Sequence, residues 1–228
     1  MKIVKWLAII LIGIPLLITG CFGLVETPSA PEPTIPPSSE PEPTPPPQAR
    51  LTAKEAYDIA LNHATAEYGV VYLSEIRAGY ATIVHGWPRD IADGRSDEWS
   101  VSFSKQDGED QWVGILLTVE NGEVTYSAEG EPYPLLGSTW ADYVLNFTVD
   151  VSKWNITSPE AIEIAEAAGG AEFRLLMLCL MAHWQGPKWY IVFGPVSTEK
   201  GEHPGFAVEV NAANGEVIST KSKTFQTY

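Results

Sequence analysis

One pattern is written twice in this chain, and it limits the fold more than any other feature. Leu51-Thr52-Ala53-Lys54-Glu55-Ala56-Tyr57-Asp58-Ile59-Ala60 aligns with Ile156-Thr157-Ser158-Pro159-Glu160-Ala161-Ile162-Glu163-Ile164-Ala165. Each stretch opens with an apolar residue, then Thr, then Glu three positions after the Thr. That is a capping box, in which the Thr hydroxyl accepts from an orphan helix amide and the Glu reaches back to the cap. Pro159 is tolerated because a first-turn residue needs no amide hydrogen. Ala53, Ala56, Tyr57, Ala60, Leu61 and Ala64 recur at helical spacing and give one apolar face. The second stretch repeats this with Ala161, Ile162, Ile164, Ala165 and Ala168, and Gly169-Gly170 ends it.

The correspondence continues into strands. Trp99-Ser100-Val101-Ser102-Phe103 matches Trp189-Tyr190-Ile191-Val192-Phe193, and Gly114 to Val119 matches Gly205 to Val210. Asn121-Gly122-Glu123-Val124 then matches Asn214-Gly215-Glu216-Val217. Asn-Gly between strands signals a hairpin, because both residues accept positive φ in a type I′ turn. Helix, strand, strand, turn and strand thus recur at a spacing of about 90 to 105 residues. The pattern predicts an α+β fold of two tandem modules, each a helix packed on a small antiparallel sheet. Their bounds are 51–128 and 156–228, with 129–155 as a connector whose Val144 to Val151 alternates like a further strand.

The capping Thr, the Glu-Ala-x-x-Ile-Ala helix and the close Val210-Asn211-Ala212-Ala213-Asn214-Gly215-Glu216-Val217 resemble the PepSY domain. The second copy fits better; the first carries a long insertion near His85 to Asp97. The resemblance implies small α+β modules of the kind found in propeptides of secreted metallopeptidases and in cell-envelope lipoproteins. It implies no catalytic residue.

The N-terminus gives the chain an address. Lys2 and Lys5 precede twenty uncharged residues from Trp6 to Val25, the order of a secretion signal. Leu17-Ile18-Thr19-Gly20-Cys21 resembles the lipobox of prokaryotic lipoproteins, which implies a signal peptide over 1–20, cleavage before Cys21 and acylation of its thiol. An uncleaved transmembrane helix is the competing reading, since twenty apolar residues just span a bilayer core of roughly 30 Å. Both readings place the rest of the chain on the extracytoplasmic face of the cell membrane. Residues 28 to 47 hold ten of the eighteen prolines, so 21–50 reads as a disordered, extended tether.

Composition narrows the function classes. Residues 51–228 carry 25 acidic against 11 basic side chains, which argues against nucleic acid as a partner. With Cys21 acylated, Cys179 has no partner for a disulfide, and its place in Leu175-Leu176-Met177-Leu178-Cys179-Leu180-Met181 makes it a buried small hydrophobe. His63, His85, His183 and His203 are scattered without ligand spacing, and His-Glu-x-x-His and Gly-x-Ser-x-Gly are both missing from the sequence. Asp107, Glu109 and Asp110 read as a solvated hairpin tip. The loop 90–98 meets the spacing of a calcium site only loosely at Asp90-Ile91-Ala92-Asp93-Gly94, and reads as an ordinary acidic loop. Most of the aromatic residues read as core or cross-strand packing, with Trp87, Trp99 and Trp112 in the first module and Trp184, Trp189 and Tyr190 in the second. A minority are expected to form a patch that docks a protein or peptide along a sheet edge.

The expectation is a lipid-anchored extracytoplasmic protein that binds or modulates and does not catalyse, with restraint of a secreted peptidase as the specific form the resemblance suggests. A structural envelope component or a small-ligand sensor is the alternative. No cofactor, metal or catalytic residue is expected, and Cys21 is the single site residue.

Overall fold

The computed structural model describes residues 50–79, 91–135, 139–195 and 200–227. In chain order the elements are α1 (Ala53–Tyr68), β1 (Tyr72–Gly79), β2 (Glu98–Gln106), β3 (Gln111–Glu120), β4 (Glu123–Glu129) and β5 (Tyr133–Pro134). Then follow α2 (Trp140–Phe147), α3 (Ser158–Ala167), β6 (Arg174–Met181), β7 (Lys188–Gly194), β8 (Gly201–Asn211) and β9 (Val217–Thr227). Cys21, the signal peptide and residues 21–49 of the tether lie outside the described residues, as do His85, Trp87 and Asp90.

The strands do not form two small sheets. They form one nine-stranded antiparallel sheet in the order β4-β3-β2-β1-β6-β7-β8-β9, with β5 on β3, and this corrects the expectation of two tandem modules. The junction is β1 against β6, paired from Glu75↔Met181 to Gly79↔Met177. A separate four-stranded half would leave the outer edge of β1 or β6 as a row of unpaired amides and carbonyls, and pairing the two removes both edges.

The same junction makes one core of two. Leu117, Val101, Ile76, Leu180, Trp189 and Val210 lie in register across β3, β2, β1, β6, β7 and β8. All six are fully buried, so the row runs unbroken from one half into the other. Both long helices cover this face. α1 turns Ala53, Ala56, Ala60 and Ala64 toward it and α3 turns Ala161 and Ala165. Small helix residues let the backbones approach while Trp99, Phe103, Trp189 and Phe193 on the strands fill the volume. Where the helices start, the Ala53 amide donates to Ser158 Oγ at 3.1 Å.

The helix ends follow the sequence closely. Thr52 with Glu55 and Thr157 with Glu160 make complete capping boxes. Asn121 and Gly122, at φ of 53° and 89°, form the two-residue turn between β3 and β4. The second Asn-Gly differs: five residues, Ala212 to Glu216, separate β8 from β9, and of that pair Gly215 has positive φ. The Asn211 side chain accounts for the longer turn by accepting from the Ala213 amide at 2.8 Å.

The connector also departs from expectation. Val144 to Phe147 belong to α2, not to a strand, because Thr139 and Asp142 make a third capping box that starts a helix at Trp140. α2 lies on the face opposite α1, where Ser104, the alternate neighbour of buried Phe103, shares a hydrogen bond with the Tyr143 hydroxyl at 3.1 Å.

Candidate binding site

α2 brings no fully buried side chain to the sheet. Aromatic rings hold it instead. Tyr133 stacks on Trp112 at 5.4 Å between centroids, Trp112 on Tyr143 at 4.8 Å, and Tyr143 on Trp140 at 5.3 Å. Trp140 meets Tyr72 edge-on at 5.7 Å, and Phe147 leans on Tyr143 at 5.2 Å. Six rings from four elements thus form one continuous row. Offset and edge contacts of this kind each add about 0.5–1.5 kcal/mol beyond area burial. The row is nevertheless open to solvent at its margins, where Tyr133 is 55% and Phe147 59% exposed.

At the Tyr72–Trp140 end the row turns into a cleft of about 330 Å³. Tyr68 at the end of α1, Tyr72 and Trp140 form its aromatic walls; Val70 lines it beside them, and Lys105, Gln106 and Asp107 supply its polar groups. The site exists because α1, β1, the β2–β3 hairpin and α2 all come together at this end of the sheet. Tyr68 is fixed by a 2.6 Å hydrogen bond between its hydroxyl and Ser127 Oγ. The Lys105 ammonium lies 5.5 Å from the centre of the Tyr68 ring and 2.7 Å from a Glu129 carboxylate oxygen, so its charge is balanced within the fold. Burial raises the pKa of the Tyr143 phenol, partly offset by the Ser104 bond. Asp142 moves the other way: the Thr139 hydroxyl and then its amide hold the carboxylate well below the ordinary range.

Asp107, Glu109 and Asp110 do form the hairpin tip that their sequence suggested, between β2 and β3. Asp107 lines the cleft, and among the described residues no cation pairs with any of the three. The loop beyond β1 uses its carboxylate internally. Asp93 takes two hydrogen bonds from the Arg50 guanidinium, at 2.8 and 3.2 Å, and one from the Arg95 amide. The described histidines stay apart in the chain, with His63 on α1, His183 in the β6–β7 turn and His203 in β8. No group of metal-ligating side chains forms among the described residues. Cys179 is 2% exposed in β6, and burial drives its thiol far above the usual range. Trp99 and Trp189 are core residues, whereas Trp184 stands 79% exposed in the β6–β7 turn. Among the described residues no helix is long and apolar enough to cross a membrane.

The ring row escapes the sequence because Tyr133, Trp140 and Tyr143 fall in the connector, where no repeat guides the reading. The signal that finds it is Thr139-x-x-Asp142 followed by Tyr143 and Phe147 at helical spacing.

The fold is shared with a solved structure. A candidate lipoprotein from Clostridium difficile 630 shares the fold at a TM-score of 0.52, covering 74% of this chain and 93% of its own, with 11% identical residues. At that identity the likeness is one of fold alone. No protein-family model matches the sequence, so the PepSY resemblance is not carried by a family match, and no curated protein matches it.

Proposed function

We propose that the chain is a lipid-anchored extracytoplasmic protein that binds a partner and performs no catalysis. What supports binding is the convergence of half-exposed rings on one end of the sheet, beside a cleft in which Tyr68, Tyr72 and Trp140 face the polar side chains of Lys105, Gln106 and Asp107; rings with a polar tip are enriched where proteins bind. What supports the anchor is Cys21 placed after Thr19-Gly20 at the end of the apolar run, together with the fold shared with a candidate lipoprotein. The PepSY resemblance makes a secreted peptidase one class of partner to be restrained. The cleft volume, at the lower end of the small-molecule range, favours a small-ligand sensor as the second reading.

Two measurements test this. Cells fed radioactive palmitate should label the wild-type protein and not Cys21→Ala; an unlabelled wild type removes the anchor. A photo-crosslinking residue at Phe147 should give an adduct in intact cells, and the same residue at Lys223 on the far edge should give none. Equal adducts at both positions, or none at either, would remove the binding role of this end of the sheet.

A further inference from the structure

We propose, resting on the binding role just stated, that the cleft between Tyr68, Tyr72 and Trp140 receives a lysine or arginine side chain of a peptide segment. The residues that follow it in that segment lie along the ring row toward Tyr133. Three observations carry this. The walls are aromatic rings, whose faces attract a cation held over them within about 6 Å. The fold already shows that geometry here, with the Lys105 ammonium 5.5 Å above the Tyr68 ring. Lys105 is balanced by Glu129, whereas Asp107 in the cleft, and Glu109 and Asp110 in the hairpin tip that follows it, have no balancing cation among the described residues. A cation entering the cleft therefore meets rings and an uncompensated carboxylate together.

The wider field agrees, since residues 51–228 carry 25 acidic against 11 basic side chains, and such a balance draws basic segments and repels acidic ones. Exposed Phe147 and Tyr133 beyond the cleft give apolar residues of the same segment a surface to cover. The ligand class is accordingly a basic segment with interleaved apolar residues, not an anionic polymer and not a neutral sugar.

The test uses the full-length protein in neutral detergent micelles and a fluorescent peptide of alternating lysine and leucine. Its controls are the twin peptide with glutamate for lysine and a neutral chitin oligosaccharide. The lysine peptide should bind and the other two should not, and binding should weaken steeply between 50 and 500 mM salt as about a Debye length shrinks from roughly 14 to 4 Å. Asp107→Asn and Tyr72→Leu should each weaken it by about fivefold or more, the order of one lost cation–π or exposed charge contact. Lys221→Gln on the opposite edge should leave it unchanged, and far-ultraviolet circular dichroism should show each variant folded. Equal binding of both peptides, preference for the oligosaccharide, or full binding by Asp107→Asn and Tyr72→Leu together overturns the assignment of ligand. Phe147 adducts persisting in cells beside any of those results leave the binding role intact, so the two claims fail separately.

Discussion

Two indoles show how single residues tie this fold together. Trp99 Nε1 donates to the Leu51 carbonyl and Trp189 Nε1 to the Ile156 carbonyl, each at 2.9 Å. The four residues occupy equivalent places in the two halves: the residue before a capping Thr, and the first Trp of a central strand. Each bond pins the entry of a helix to the sheet below it while satisfying a buried donor. Trp189→Phe keeps most of the apolar volume and removes one of two donors to the Ile156 carbonyl, which keeps the Trp154 indole at 2.9 Å. Trp99→Phe leaves the Leu51 carbonyl with the Ser96 amide. Because each carbonyl keeps a second donor, each change should cost about 0.5–1.5 kcal/mol for the lost hydrogen bond, read as a shift of the urea midpoint at unchanged slope. Gly94 is a sharper case. It holds φ of +73°, and a Cβ there would sit 2.5 Å from the backbone nitrogen of Pro159 at the start of α3. Gly94→Ala should destabilise by more than about 1 kcal/mol, and thermal melting checks it. Neither contact is legible in the sequence, where Gly94 reads as part of an acidic loop and Pro159 as a helix start 65 residues away.

At the scale of elements, legibility depended on whether the signal is local. α1 and α3 were readable because a capping box followed by apolar spacing needs only adjacent residues. Thr157→Ala should lower stability by about 1 kcal/mol, measured by chemical denaturation, because it leaves the Glu160 amide without its acceptor. α2 was hidden by a coincidence of patterns, since Val144 to Val151 alternates in hydropathy although Thr139 and Asp142 cap a helix there. The Asn121-Gly122 turn was readable, being fixed by its own two residues. The β1–β6 pairing was not, because it joins strands about 100 residues apart and nothing local sets the register. One clue was present. Leu175 to Met181 is an unbroken apolar run, the signature of a strand enclosed by neighbours rather than standing at an edge, and β6 is central. Read only as a place to bury Cys179, it said nothing of the sheet.

At the scale of the whole molecule, acid and fragmentation probe different parts of the same unit. Glu55 and Glu160 are held below the ordinary glutamate value of 4.5, first by the amide and then by the hydroxyl of Thr52 and Thr157. Burial alone would raise Glu209, but hydrogen bonds from Lys188 and Ser219 outweigh it and lower it too. A carboxylate depressed in the folded state binds protons less readily there than in the unfolded chain. Its stabilisation is thus fully present above about pH 4.5 and is lost as pH falls below that value. Melting temperature should be flat from pH 8 to 5 as far as these three groups govern it, and fall below 4.5. Exchanging all three for Gln should flatten that fall. Fragmentation tests the junction itself. Residues 51–128 alone would leave β1 as an edge, with Ile76 deprived of Leu180 and the Ala53 amide deprived of Ser158 Oγ. The fragment should therefore lack a cooperative transition, and mixing it with residues 129–228 should restore one, because the row from Leu117 to Val210 needs both halves. A monomeric 51–128 that unfolds cooperatively by itself would show that its own hydrophobic contacts suffice, and that β1–β6 pairing joins two finished sheets rather than completing one.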